Sequence, residues 1–174
     1  IIFEDLPRTS ISEKFDSSLE YDQYVKTLIK CGCIDEATKI WWDIRPHPKF
    51  PTLEFRICDC TTRVNEVIAI AALIQSVVAK LIKLRSLNQS WRTYRSSLIA
   101  ENKWRAIKDG IEGKLIDFGK QIEVPVDALA KELIVLIDDV LDPLGTREDV
   151  EYLFTLFKGG ASADRQLSCY ERTG

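Results

Sequence analysis

The chain has 174 residues, 45% of them hydrophobic and 29% charged, a balance that suits a folded domain and argues against intrinsic disorder. Its formal net charge of -3 lacks the basic excess that marks a dedicated nucleic-acid binder. It holds no Met and begins Ile1-Ile2-Phe3, which reads as a processed chain or a piece of a longer one.

In chain order, Asp16-Ser17-Ser18 reads as a helix start. Leu19, Tyr21, Tyr24, Val25, Leu28 and Ile29 follow at helical spacing, and Gly32 stops the helix. Lys39 to Ile44 reads as a strand, Arg45 to Pro51 as a proline-rich loop, and Thr52 to Cys58 as a second strand with polar–apolar alternation. So short a connection predicts antiparallel neighbours. Thr61 or Thr62 then caps a long helix reaching about Arg85. Its apolar run, Val67 to Ile74, is soon interrupted by Gln75, Ser76 and Lys80. That reads as too short and too polar to span a bilayer, so a buried helix is expected.

Asn88 or Ser90 opens a helix running to Gly110. Between Trp91 and Lys108, basic residues interleave with aromatics. This pattern suits single-stranded nucleic acid, or an amphipathic helix with packed aromatics, and the acidic chain favours the helix. Lys114 to Val124 reads as a hairpin around Gly119. Asp127 to Leu141 reads as an amphipathic helix stopping before Pro143. Thr146 starts a helix that ends at Gly159-Gly160, and residues 159–166 read as a small-residue loop. The sum predicts an α+β lobe, antiparallel strands with helices packed on one side.

The five cysteines are Cys31, Cys33, Cys58, Cys60 and Cys169. An odd count with no visible secretion signal predicts reduced thiols, buried or half-buried, in a cytoplasmic protein. The two C-x-C pairs are spaced more tightly than the C-x₂₋₄-C of structural zinc sites. One histidine, His47, rules out a multi-histidine metal site within the chain. There is no G-x-S-x-G elbow, no G-x-G-x-x-G and no P-loop.

Strand alternation puts Ile40, Trp42 and Ile44 on one face of the first strand, and Lys39, Trp41, Asp43 and Arg45 on the other. In the second strand Leu53, Phe55 and Ile57 oppose Glu54, Arg56 and Cys58. The apolar faces call for helices. The other face collects Asp43, Arg45, Glu54 and Arg56. A carboxylate beside guanidiniums suits Mg²⁺–nucleotide chemistry, since carboxylate oxygen is a hard ligand and guanidinium a planar fork for phosphate. Cross-strand salt bridges on a solvated face use the same residues.

The series Ile40-Trp41-Trp42-Asp43-Ile44-Arg45-Pro46-His47-Pro48, then Thr52-Leu53-Glu54-Phe55-Arg56-Ile57-Cys58-Asp59, resembles the carboxylate–amine ligase branch of the glutamate–cysteine ligase type 2 family. So do Glu101-Asn102-Lys103-Trp104-Arg105-Ala106 and Gly160-Ala161-Ser162-Ala163-Asp164-Arg165-Gln166. The resemblance covers residues 1–174 as the C-terminal half of a single catalytic domain with a glutamine synthetase-like fold, a curved antiparallel sheet backed by helices. It implies ATP and Mg²⁺ as cofactors. It further implies that the glutamate γ-carboxylate is activated as an acyl phosphate and joined to an amine such as that of cysteine.

By the match, Glu54 is expected as a Mg²⁺ ligand and Arg56 on the transferring phosphoryl group. Arg45 is expected on substrate carboxylate or phosphate, and Asn102, Lys103 and Arg165 near the nucleotide. The implied partners are glutamate, the amine, the N-terminal half of the enzyme and a second copy in a homodimer, with no nucleic acid and no membrane. Without the N-terminal half, the residues here are expected to be inactive. The alternative is a non-catalytic interaction or assembly domain that keeps the ligase fold.

Overall fold

The structure is a computed structural model that describes residues 6–173. The chain divides into two compact units, Ile1–Asp59 and Cys60–Gly174. Among the described residues, helices and three two-stranded sheets make it an α+β protein.

The first unit begins with β1 (Thr9–Ser10) and α1 (Ser18–Lys30). Ser17 caps α1 by accepting the Glu20 N–H at 3.1 Å, and the Glu20 carboxylate accepts the Asp16 N–H at 2.7 Å. At its other end Gly32 takes φ 70°, and the Cys33 N–H reaches back to the Leu28 carbonyl at 2.9 Å. The expected single strand from Lys39 to Ile44 is instead broken. A 3₁₀ turn at Ala37–Lys39 leads to β2 (Trp41–Trp42) and then β3 (Ile44–Pro46). The break arises because β2 pairs in parallel with β1, whereas β3 pairs antiparallel with β4 (Leu53–Phe55).

Ile40 and Trp42 are buried against Phe15, Tyr21, Tyr24, Val25 and Leu28, as the alternation predicts. The Trp42 and Tyr24 rings stack with centroids 5.5 Å apart. Most of the rest of the expected apolar face is not covered: Ile44, Leu53 and Ile57 are exposed, and Phe55 is half-buried. Helix α1 packs over a small cluster of Ile34, Ile40 and Trp42.

The second unit starts with α2 (Val64–Ser86), capped by neither Thr61 nor Thr62. Its buried stripe is Glu66, Ala69, Ala72 and Ser76, at spacings of one helical turn. Larger side chains on its other faces, such as Val64, Val67 and Ile82, are exposed. This corrects the expectation of a buried helix. Among the described residues α2 is long and apolar enough, by length and composition alone, to cross a membrane. One side of it packs on protein: Ala72 joins Ile137, Val140, Leu141 and Val150 in the core of the unit.

Those partners come from α4 (Val126–Leu144) and α5 (Arg147–Glu151). Pro143 lies inside the last turn of α4, two residues beyond the expected end at Leu141. The helix ends at Gly145 (φ 67°), and the Thr146 N–H closes on the Leu141 carbonyl at 3.0 Å. The Thr146 hydroxyl does not cap α5. It is buried 2.9 Å from the Ser76 hydroxyl of α2.

Helix α3 (Ser96–Asp109) starts later than expected, and Trp91 and Trp104 are exposed instead of packed. The hairpin of β5 (Lys114–Asp117) and β6 (Ile122–Pro125) forms around Gly119 as expected. After α6 (Leu153–Gly159), the expected loop at 159–166 is largely helix: α7 spans Ser162–Thr173. Gly160 (φ 78°) breaks the chain direction, and Asp164 starts the new helix by accepting the Ala161 N–H at 2.7 Å.

Candidate functional site

The register of β3 and β4 sets Arg45 directly opposite Glu54. The two side chains therefore share a face, and Arg56 follows on the same side. The Arg45 Nε and Nη2 donate to Glu54 Oε2 at 2.9 and 2.7 Å, and Arg56 Nη1 donates to Glu54 Oε1 at 2.6 Å. Hydrogen bonds from Arg45 and then Arg56 hold the Glu54 carboxyl below the usual carboxylate range. It stays ionised at neutral pH.

Exposure separates the three. The Glu54 and Arg56 side chains are 30% and 40% exposed, so this pair faces solvent and is not turned into the interior. Arg45 is 5% exposed. Its Nη1 turns inward to the carbonyls of Thr38 (2.6 Å), Ile40 (2.5 Å) and Ala37 (3.3 Å), at the end of the 3₁₀ turn. The guanidinium expected on substrate is thus engaged inside the fold. Burial patterns alone gave no sign of those backbone carbonyls, which carry no side-chain signal.

Within this unit a cleft of about 680 Å³ is lined by Phe15, Tyr21, Trp42, Ile44, Pro46 and His47, among others. Ile44 and Pro46 alternate with Arg45 along β3, so the cleft lies on the face away from Glu54. His47 Nδ1 accepts the N–H groups of Lys49 and Phe50, at 3.1 and 3.2 Å, and shapes the proline-rich loop.

The other expected nucleotide residues belong to the second unit. Asn102 is a half-buried tie between α3 and β5. Its amide donates to the Ile116 carbonyl at 2.9 Å, and its Oδ1 accepts the Ile116 N–H at 2.7 Å. Lys103 is half-buried on α3. Arg165 Nη2 lies 2.7 Å from Glu66 Oε1, and Nη1 donates to the Gly160 carbonyl at 2.8 Å. Glu66 is 1% exposed, so Arg165 neutralises a carboxylate sealed in the unit. Glu66 was missed from the sequence. Its signal was the lone acid of α2, just before the apolar run and in line with Ala69, Ala72 and Ser76.

Among the described residues no group of three or more His, Cys, Asp or Glu could hold a metal. Glu54 provides one hard oxygen donor, with a lone pair on Oε1 left open, beside two guanidiniums. That fits one ligand's share of a Mg²⁺–phosphate site and not a complete metal centre. All five cysteines lie in exposed residues, not buried ones.

A family model described as glutamate-cysteine ligase family 2 matches residues 1–174. A protein of Roseiflexus castenholzii named "Putative glutamate--cysteine ligase 2" is 54% identical over 172 residues, 99% of this chain and 45% of its own length. Proteins of the same name from Chloroflexus aggregans and Sorangium cellulosum are 51% and 48% identical, again over 99% of this chain, and over 44% and 46% of their own lengths. The chain therefore spans a little under half the length of these curated relatives.

Proposed function

This chain belongs to glutamate–cysteine ligase family 2, and on that footing we propose that it supplies part of the active site of an ATP-dependent carboxylate–amine ligase. The reaction we assign joins the γ-carboxylate of glutamate to an amine such as that of cysteine, by way of an acyl phosphate. Carboxylate is a poor electrophile, and phosphorylation gives it a leaving group. The observation that carries the reading is the half-exposed Glu54–Arg56 pair on β4 and its continuation, backed by a buried guanidinium.

In this reading Arg56 contacts the transferring phosphoryl group and balances its charge. Glu54 orients Arg56 and would hold Mg²⁺ through its open oxygen. Bound Mg²⁺ neutralises phosphate charge during the transfer. We place the remaining metal carboxylates on sequence outside this chain, in keeping with relatives more than twice its length. The ligase fold of the glutamine synthetase type is part of the same proposal.

The test uses the full-length protein and follows phosphate release that depends on both glutamate and an amine. Glu54→Ala and Arg56→Ala are each expected to lower it at least about 100-fold. Unchanged turnover in both would remove the site assignment. No glutamate-dependent release in the wild type would favour the non-catalytic assembly reading.

A further inference from the structure

We infer that Arg45 is a positioning residue, which ties Glu54 to the backbone of the 37–40 turn and leaves one oxygen, Oε1, to face incoming ligands. The inference rests on the ligase reading for its functional meaning, though its geometry stands apart from it.

The argument counts lone pairs. Each carboxylate oxygen accepts two hydrogen bonds. Glu54 Oε2 receives two, from Arg45 Nε and Nη2, and is filled. Among the described residues, Oε1 receives one, from Arg56 Nη1, and keeps one lone pair. A guanidinium stays charged at any working pH, so burying one demands full compensation. Arg45 gets it from one carboxylate oxygen and three carbonyls. The fork is planar and rigid, so fixing Nη1 on the turn also fixes Nε and Nη2, and through them the Glu54 carboxylate. The turn thus sets the orientation of the carboxylate, and the exposed Arg56 is aimed by the carboxylate in turn. Lysine, a point charge on a flexible stem, cannot reproduce this three-way fork.

Two measurements on the full-length protein test this. The first needs no activity and no Arg45 variant: nitrogen-15 NMR of the Arg45 Nε–H. A slowly exchanging signal is expected in the wild type, with fast exchange in Glu54→Gln. Fast exchange in the wild type overturns the inference, whatever the protein catalyses. The second is a kinetic cycle. Arg45→Lys is expected to lower kcat by about 100-fold, as a misplaced group does, with KM values for ATP and glutamate within about threefold. In a Glu54→Gln background, Arg45→Lys is expected to lower kcat no further. A large rise in KM with additive effects in the cycle means direct substrate contact and overturns the positioning role. Absence of ligase activity in the wild type, with the NMR result intact, removes the functional reading and leaves the Arg45–Glu54 lock standing.

Discussion

Two nitrogens of Arg45 converge on a single oxygen of Glu54, across a directly paired position of β3 and β4. The arginine is buried and the glutamate half-buried, so the pair sits between a structural ion pair and a surface one. That gradient of exposure separates the roles of three charged residues within a few ångströms of one another.

Stability should follow the same gradient. Arg45→Met strips Glu54 of two donors and takes the guanidinium away from the Thr38 and Ile40 carbonyls, and is expected to destabilise by about 3 kcal/mol. Arg56→Met removes a half-exposed pair and is expected to cost less than about 1 kcal/mol. Urea denaturation of the two variants checks the order. Equal effects would mean that the inward contacts of Arg45 contribute little.

Glu66 and Arg165 provide a second test of buried charge. Arg165→Ala leaves a sealed carboxylate without its cation and is expected to cost about 3–5 kcal/mol. Removing both charges with Glu66→Gln and Arg165→Met should recover much of that loss. A double-mutant cycle read by thermal unfolding measures the coupling. Additive losses would show that the two side chains do not compensate each other.

Asn102 is expected to act through stability. Asn102→Ala breaks two hydrogen bonds to the Ile116 backbone and should cost about 1–3 kcal/mol. Faster hydrogen exchange at the Ile116 amide should accompany it. ATP affinity of the folded fraction should change by less than about threefold. A selective loss of ATP affinity with unchanged stability would instead favour the nucleotide role that the sequence motif implies.

Asp139 makes the second unit sensitive to acid. Hydrogen bonds from Lys80 and then Lys83 of α2 lower its carboxyl from the ordinary 3.8 to about 2. A carboxyl lowered in the folded state adds stability above its unfolded value, and that stability fades as pH falls through the folded value. The wild type should therefore exceed Asp139→Asn at neutral pH, with the gap closing between about pH 4 and pH 2. Melting temperatures followed by circular dichroism report it. A gap that persists at pH 2 would locate the effect elsewhere.

Local signals were legible wherever neighbours in sequence determine structure. The Ser17–Glu20 cap, the Gly32 stop and the Gly119 hairpin depend on residues within one turn of each other. The late start of α3 and the helix at Ser162–Thr173 were not legible. In the latter, Gly160 and the small residues after it suggested a loop, whereas the Asp164 carboxylate nucleates a helix.

The sequence alone determined that Glu54 and Arg56 share a strand face, because side chains alternate along extended backbone, and it carried the family resemblance that the comparisons show. Only the tertiary structure decided which charges are open and which are sealed. Arg45 lies on the same face as Glu54, yet the 37–40 turn draws it inward, and Arg165 is occupied by Glu66, distant in sequence. Burial is set by contacts between segments far apart along the chain. A local pattern can therefore assign a residue's direction, but not what it meets there.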